Sequence, residues 1–181
     1  MPTTRAYTDA ITAWGSVGDP KSAEDLFLEY RQRYQDLKAP ELNPNTEILA
    51  ALIRAWLKAA EEEEVDQNKQ IARLSRGVEW LESMIDGETA GGPPPTHDLF
   101  LAVLKSANSC AFDSPQVLDI AYRTFGNLRE SRHHTDARAY TMLLRVALLA
   151  LSKPENDEIR TKFVTRLVKA CCEDGLLSKS K

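Results

Sequence analysis

The chain has 181 residues, a formal net charge of −4, 43% hydrophobic residues and 28% charged residues. This composition is sufficient for a folded core, and no run approaches the roughly 18 apolar residues that a membrane span needs. The acidic balance argues against binding nucleic acid through bulk electrostatics. Three unevenly spaced cysteines give no disulfide framework, which favours a reducing compartment.

A short signal opens four similar stretches, at Pro2, Pro44, Pro95 and Thr135. Positions are counted below as offsets, the number of residues after each of these four opening residues. Two of the shared apolar positions are offset five (Tyr7, Leu49, Phe100 and Tyr140) and offset nine (Ile11, Ile53, Leu104 and Leu144). A pattern that recurs every few tens of residues is typical of stacked helical hairpins.

The first repeat, residues 2–43, is predicted to form two antiparallel helices, the second of which begins at Asp19-Pro20. The second repeat, residues 44–94, carries the acidic run 61–64 at its turn. Its second helix is predicted to include Ile71, Leu74, Val78, Leu81 and Ile85. Residues 86–95 contain three glycines and three prolines, which predicts a loop.

The third repeat, residues 95–134, turns at Ser114-Pro115, and the fourth, residues 135–175, turns at Lys153-Pro154. Residues 176–181 form a short tail. No part of the sequence alternates as a strand does. We therefore predict an all-α protein, a single helical-repeat domain over residues 1–181 with about four helix-turn-helix hairpins.

The segment Pro2–Trp14, followed by Gly18-Asp19 and Ala23-Glu-Asp-Leu-Phe27, resembles a pentatricopeptide repeat. Pro44–Trp56 and Asp136–Leu144 are similar to the same repeat, and Pro95–Ala107 matches it less closely. The Trp-Leu-Gly-Tyr pattern of tetratricopeptide repeats is absent. The resemblance implies a right-handed α-solenoid.

The resemblance also implies binding of single-stranded RNA, with about one base read per repeat. The family reads a base with the offset-six residue and the offset-one residue of the next repeat. The pairs here are Thr8 with Asn45, Ala50 with Thr96, and Leu101 with Asp136, while Thr141 has no downstream partner. By the resemblance, the pair of Thr8 with Asn45 favours adenine as the base that is read. Asp136 is expected to favour a base that offers a hydrogen-bond donor, such as uracil or guanine. Ala50 and Leu101 have no hydrogen-bonding side chain, and Thr or Asn at these positions also serves as a helix cap.

Offset ten, one turn beyond the reading position, holds Thr12, Arg54, Lys105 and Arg145. Residues four apart lie on one helix face. If the hairpins stack, the three basic residues form a ladder beside the readers, where a phosphate backbone would lie. Trp14 and Trp56 share offset twelve near the apolar positions, which favours core packing over base stacking.

Neither an acid–base pair nor a phosphate loop nor metal-ligand spacing occurs, so no enzyme, metal or other cofactor is expected. The sequence favours an adaptor that binds single-stranded RNA in organellar RNA processing, stability or translation. A protein-interaction scaffold without RNA readout is the alternative. The family implies a mitochondrion or plastid, although no transit peptide is visible; the cytoplasm is the alternative location. Both ends of the array are expected to expose apolar surface and to favour self-association or a protein partner.

Overall fold

The structure, a computed structural model, describes residues 2–37, 44–62, 65–89, 93–131 and 133–176. Within these ranges the chain forms eight α-helices and no strand, which confirms the predicted all-α class. The helices are α1 (Thr4–Ser16), α2 (Pro20–Leu37), α3 (Thr46–Ala60), α4 (Gln67–Thr89), α5 (His97–Cys110), α6 (Pro115–Glu130), α7 (Ala137–Ala150) and α8 (Asp157–Glu173).

The chain divides into two compact units, an N-terminal unit (Met1–Leu99) and a C-terminal unit (Phe100–Lys181). The N-terminal unit contains α1 to α4 and the first residues of α5. The C-terminal unit contains the rest of α5 and α6 to α8. The single domain over residues 1–181 stays a prediction.

The repeated pattern sets where the odd-numbered helices begin. All four begin at offset two, at Thr4, Thr46, His97 and Ala137. Three of them have a side-chain cap at offset one, which accepts a backbone N–H of the first turn: Thr3 from Ala6 (3.3 Å), Asn45 from Ile48 (3.0 Å) and Asp136 from Ala139 (3.0 Å). The first turn of a helix leaves N–H groups without a partner, and these side chains satisfy one each.

The proline signals of the second helices have two outcomes. Pro20 begins α2 and Pro115 begins α6, as predicted. Asp19 caps α2 by accepting from the backbone N–H of Ser22 at 3.0 Å and from its hydroxyl at 2.7 Å. Pro154 instead begins a short 3₁₀ turn, and α8 starts three residues later at Asp157.

The predicted loop 86–95 is partly helical, because α4 continues to Thr89. A single glycine such as Gly87 weakens a helix without ending it, whereas consecutive prolines cannot continue one. Residues 93–96 are non-helical. The predicted apolar face of α4 is confirmed at Ile71, Leu74, Val78 and Leu81, which are buried. The predicted boundary at residue 43, Glu63, Glu64 and residues 177–181 of the tail lie outside the described residues.

Helices α1 and α3 approach each other closely in the N-terminal unit. A Cβ atom added to Gly15 would lie 2.7 Å from the Cβ of Ala55 and 3.0 Å from its Cα. A glycine facing an alanine therefore allows this approach, and the core of the unit forms around α3.

A buried carboxylate links α2, α3 and α4 in the same unit. Glu24 accepts the indole N–H of Trp56 at 2.8 Å and pairs with the guanidinium of Arg76, whose Nε lies 3.1 Å away. Arg76 also pairs with Glu79 at 2.5 Å. Burial would raise the pKa of Glu24, but the hydrogen bonds and positive charge of Arg76 and the bond from Trp56 outweigh it and lower this pKa.

In the C-terminal unit, α6, α7 and α8 pack through aromatic and charged contacts. Phe125 of α6 meets Tyr140 of α7 edge to face, with ring centroids 4.9 Å apart. The hydroxyl of Tyr140 donates to Asp174 at 2.5 Å, and Arg129 pairs with the same carboxylate at 3.1 Å. Burial, and then the bond to Asp174, raises the pKa of Tyr140. These contacts fasten the end of α8 to α6 and α7.

Candidate nucleic-acid interface

A groove of about 470 Å³ lies between α1 and α3 of the N-terminal unit. The buried residues that line it are small: Gly15, Ala50, Ala51 and Ala55. The other lining residues are polar or charged: Thr8, Thr12, Ser16, Thr46, Glu47, Arg54, Lys58 and Thr96. We call this cavity the α1–α3 groove.

One side of the groove is a row of hydroxyl groups on α1. Thr8, Thr12 and Ser16 are spaced four residues apart and therefore share one helix face. Each donates its hydroxyl hydrogen to the backbone carbonyl four residues earlier, at 2.9, 2.8 and 2.9 Å. The oxygen of each hydroxyl retains acceptor capacity toward a ligand in the groove.

The other side of the groove carries two basic residues on α3. Arg54 is at offset ten and Lys58 is one turn later, and both are exposed. Lys58 Nζ donates to the backbone carbonyl of Ser16 at 2.9 Å, so its charge is held near the hydroxyl row. Glu47 is the carboxylate among the residues that line the groove. The arrangement can hold an anion beside a shallow surface of small residues.

Four of the residues predicted for RNA contact line this groove together: Thr8, Ala50, Arg54 and Thr96. Asn45, the predicted partner of Thr8, is not among the lining residues. Its carboxamide oxygen instead caps α3 by accepting from Ile48. The predicted pair of Thr8 with Asn45 would therefore compete with the start of α3.

Two predicted base readers are corrected by their burial. Ala50 is 4% exposed and Leu101 is 6% exposed, so neither side chain is available to a base. In α3 and α5, offset six lies close enough to the core for an apolar side chain to be buried there. Offset six bears a threonine in the other two repeats, and Thr141 of α7 is exposed.

The two remaining predicted readers, Asp136 and Thr141, are engaged locally in the C-terminal unit. Asp136 caps α7 and pairs with Arg138 at 2.7 Å. Thr141 donates its hydroxyl to the carbonyl of Ala137 at 2.8 Å. These contacts explain both residues as parts of the first turns of α7, without a ligand.

The three residues of the predicted basic ladder are all exposed, Arg54 in the N-terminal unit and Lys105 and Arg145 in the C-terminal unit. Offset ten is thus a surface position in every repeat, because Thr12 is exposed as well. Their alignment as a ladder stays a prediction.

The aromatic residues separate into core and surface. The predicted core role is confirmed for Tyr7, Phe100 and Tyr140, which are buried. Trp56 is half-buried, and its indole donates to the buried Glu24 of the preceding hairpin. The core prediction is wrong for Trp14, which has the same offset as Trp56 but is 43% exposed.

Sequence reasoning missed Lys58 and a second groove. Lys58 stands four residues after Arg54, a spacing that places both on one face and would have revealed it. The second groove, of about 500 Å³ in the C-terminal unit, is lined by residues of α6 and α8, among them Tyr122, Gly126, Arg129, Phe163 and Arg166. The rings of Tyr122 and Phe163 pack edge to face there, with their centroids 5.7 Å apart. No repeated motif marks this groove in the sequence.

Comparisons with protein-family models, with curated proteins and with solved structures found no significant match to this chain. Within the ranges that the structure describes, no helix has the length and apolar character needed to cross a membrane. In those same ranges, no three His, Cys, Asp or Glu residues come together as metal ligands.

Proposed function

We propose that the α1–α3 groove binds single-stranded RNA. The observation that supports this most is the position of two basic residues, Arg54 and Lys58, on the side of the groove opposite the hydroxyl row of α1. These cations lie in a chain whose formal net charge is −4. Local positive charge in an acidic chain favours a specific anionic partner over general adhesion to polyanions. The protein would act as an adaptor that occupies an RNA segment.

The division of labour in the groove follows from its chemistry. Arg54 and Lys58 contact phosphates, which fix the position of the strand without reading its sequence. Because the side chains of Gly15, Ala51 and Ala55 are small, they leave open the space of the groove in which a base would lie. Thr8 and Thr96 are the predicted readers that combine a place in the groove with a hydrogen-bonding side chain. We therefore expect modest selectivity.

The proposal extends to a pentatricopeptide-like array. Equivalent starts of all four odd-numbered helices, and side-chain caps at offset one in α1, α3 and α7, support a repeated unit. In a right-handed α-solenoid of these repeats, Lys105 and Arg145 would continue the line of cations that Arg54 begins. A role in organellar RNA processing, stability or translation belongs to this part of the proposal.

The test is RNA binding by two charge-reversed variants. Arg54→Glu with Lys58→Glu removes the cations of the groove, and we expect it to weaken binding to a fluorescent single-stranded RNA pool strongly, leaving only residual binding at low salt. The matched control is Lys21→Glu with Lys69→Glu, which changes formal charge equally at exposed residues outside the groove. Equal loss in both variants would contradict a local site. A third variant, Lys105→Glu with Arg145→Glu, asks whether the C-terminal unit takes part.

A protein-interaction scaffold is the second candidate. It is favoured by large apolar residues on the surface, among them Trp14, Val17 and Leu148. Absence of RNA binding by the wild-type chain even at low salt, together with capture of a protein partner, would favour this candidate.

A further inference from the structure

One face of the odd-numbered helices is buried in every repeat except the first. Offsets four, eight, eleven and fifteen define this face. In α3, α5 and α7 all twelve residues at these offsets are buried: Ile48, Leu52, Ala55, Ala59, Leu99, Val103, Ser106, Cys110, Ala139, Leu143, Val146 and Ala150. In α3 this face meets the preceding hairpin, because Ala55 faces Gly15 of α1.

The same offsets on α1 hold apolar residues that are uncovered. Ala6 and Ala13 are exposed, Ala10 is half-buried, and Val17 is 73% exposed. Together with Trp14 these residues form the α1 outer face. An apolar side chain at each of these positions suits a surface that is covered by another helix.

Trp14 indicates what a covering helix would offer. Its counterpart Trp56 donates its indole N–H to Glu24 on the second helix of the preceding hairpin. Trp14 occupies the same offset on an exposed surface. The covering hairpin should therefore bring a carboxylate to the indole of Trp14.

Among the four odd-numbered helices that the structure describes, the opposite face is most exposed in α7. Offset nine is fully buried at Ile11, Ile53 and Leu104 but half-buried at Leu144. Offset thirteen is buried at Gly15 and Leu57, half-buried at Asn108 and 47% exposed at Leu148. Leu144 and Leu148 form the α7 outer face. Position thirteen is the one through which Gly15 of α1 meets Ala55 of α3.

The α7–α8 hairpin also carries a suitable carboxylate. Glu24, the fifth residue of α2, and Glu158, the second residue of α8, both lie near the start of the second helix of their hairpin. Glu158 is exposed and is paired with Lys162 at 2.5 Å, a surface ion pair that is worth little and can be exchanged.

We propose that the α1 outer face is a docking surface for the α7–α8 hairpin of a second copy of this chain. Leu148 of one copy packs against Ala13 of the other, and Glu158 accepts from the indole of Trp14. The small alanines of α1 leave room for the larger leucines of α7, so these two helices lie further apart than α1 and α3 do where Gly15 faces Ala55. Because the two surfaces differ, the contact is heterologous and extends to further copies as concentration rises.

Directed disulfide formation tests this pairing. Ala13→Cys and Leu148→Cys are each placed in a Cys172→Ser background, where the remaining Cys110 and Cys171 are buried. On mild oxidation, a mixture of the two proteins should form a disulfide dimer, and either protein alone should not. A dimer of the Ala13→Cys protein alone would show a symmetric contact and overturn the proposal, as would the absence of dimers in the mixture.

Sedimentation velocity over a concentration series gives an independent test. Ala13→Glu and Leu148→Glu should each weaken self-association by at least about tenfold, which is about 1.4 kcal/mol. The matched control is Leu28→Glu, because Leu28 is an exposed leucine of α2 outside both outer faces. Circular dichroism checks that all variants fold. A wild-type chain that stays monomeric throughout, or equal weakening by Leu28→Glu, would contradict the proposal.

Discussion

Replacing Glu24 with glutamine removes one charge from the centre of the N-terminal unit and leaves the shape of the side chain nearly unchanged. The glutamine can still accept the indole N–H of Trp56, but it cannot pair with Arg76 as an ion. The side chain of Glu24 is 10% exposed, whereas that of Arg76 is 41% exposed. Arg76 therefore keeps access to water and to Glu79 after the substitution.

These exposures set the magnitude of the effect. Breaking a fully buried ion pair costs about 3–5 kcal/mol, because the remaining charge is stranded away from water. Arg76 is only partly buried here, so we expect Glu24→Gln to lower the free energy of unfolding of the N-terminal unit by about 2 kcal/mol. Glu79→Gln, which removes the exposed partner of the same guanidinium, should cost about 0.5 kcal/mol or less.

Tryptophan fluorescence during urea unfolding measures this unit selectively, because Trp14, Trp56 and Trp80 all lie in it. Circular dichroism on the same samples reports both units. An effect of Glu24→Gln no larger than that of Glu79→Gln would refute the reasoning that burial makes this ion pair important.

Acid titration examines the same group. Since the folded-state pKa of Glu24 is lowered, its contribution is fully present above the unfolded-state pKa of about 4.3 and is lost as pH falls through the lower folded-state value. The difference in free energy of unfolding between wild type and Glu24→Gln should therefore become smaller below about pH 4. A constant difference down to the acid transition would contradict this assignment.

Substitutions at three further positions test the packing and the cap of α3. Gly15→Val should destabilise the N-terminal unit by about 2 kcal/mol, because its Cβ would meet Ala55. Gly126→Ala should stabilise the C-terminal unit by about 0.5–1 kcal/mol, because a Cβ there meets no atom within 4 Å. Urea unfolding measures both changes, and a change of the opposite sign would contradict the corresponding prediction. Asn45→Ala should lower the free energy of unfolding by about 1 kcal/mol, because α3 loses its cap, whereas Asn45→Asp should retain the cap. A change in RNA base preference in Asn45→Asp, with unchanged stability, would show that Asn45 reads a base.

Much of the fold could be predicted because local signals agreed with the apolar pattern. A polar residue at offset one followed by helical spacing located the starts of α1, α3, α5 and α7, and a proline located the starts of α2 and α6. The sequence predicted a loop from residue 86, but α4 continues to Thr89, because the single glycine at position 87 does not end the helix. The 3₁₀ turn before α8 was missed because proline fixes where a helical turn begins but not which kind of turn follows.

The candidate site could be predicted only in part. The spacing placed Thr8 and Arg54 on the surface of their helices, and the structure brings both to one groove. The burial of Ala50 and Leu101 depends on how closely neighbouring helices pack. The residue type at a single repeat position does not predict this packing. The sequence left open whether Asn45 is a cap or a reader, and the hydrogen bonds show the cap; the capping role of Asp136 was not predicted.

The salt dependence of RNA binding tests the proposed function most directly. Each phosphate contact to a single strand contributes about 0.7 to the slope of log K against log salt concentration. Removal of both cations in Arg54→Glu with Lys58→Glu should therefore reduce the slope by about 1.4, with the remaining affinity followed at low salt. The control, Lys21→Glu with Lys69→Glu, should keep the wild-type slope. Wild-type binding with a slope unchanged in the groove variant, or no wild-type binding at any salt concentration, would contradict the proposed RNA site.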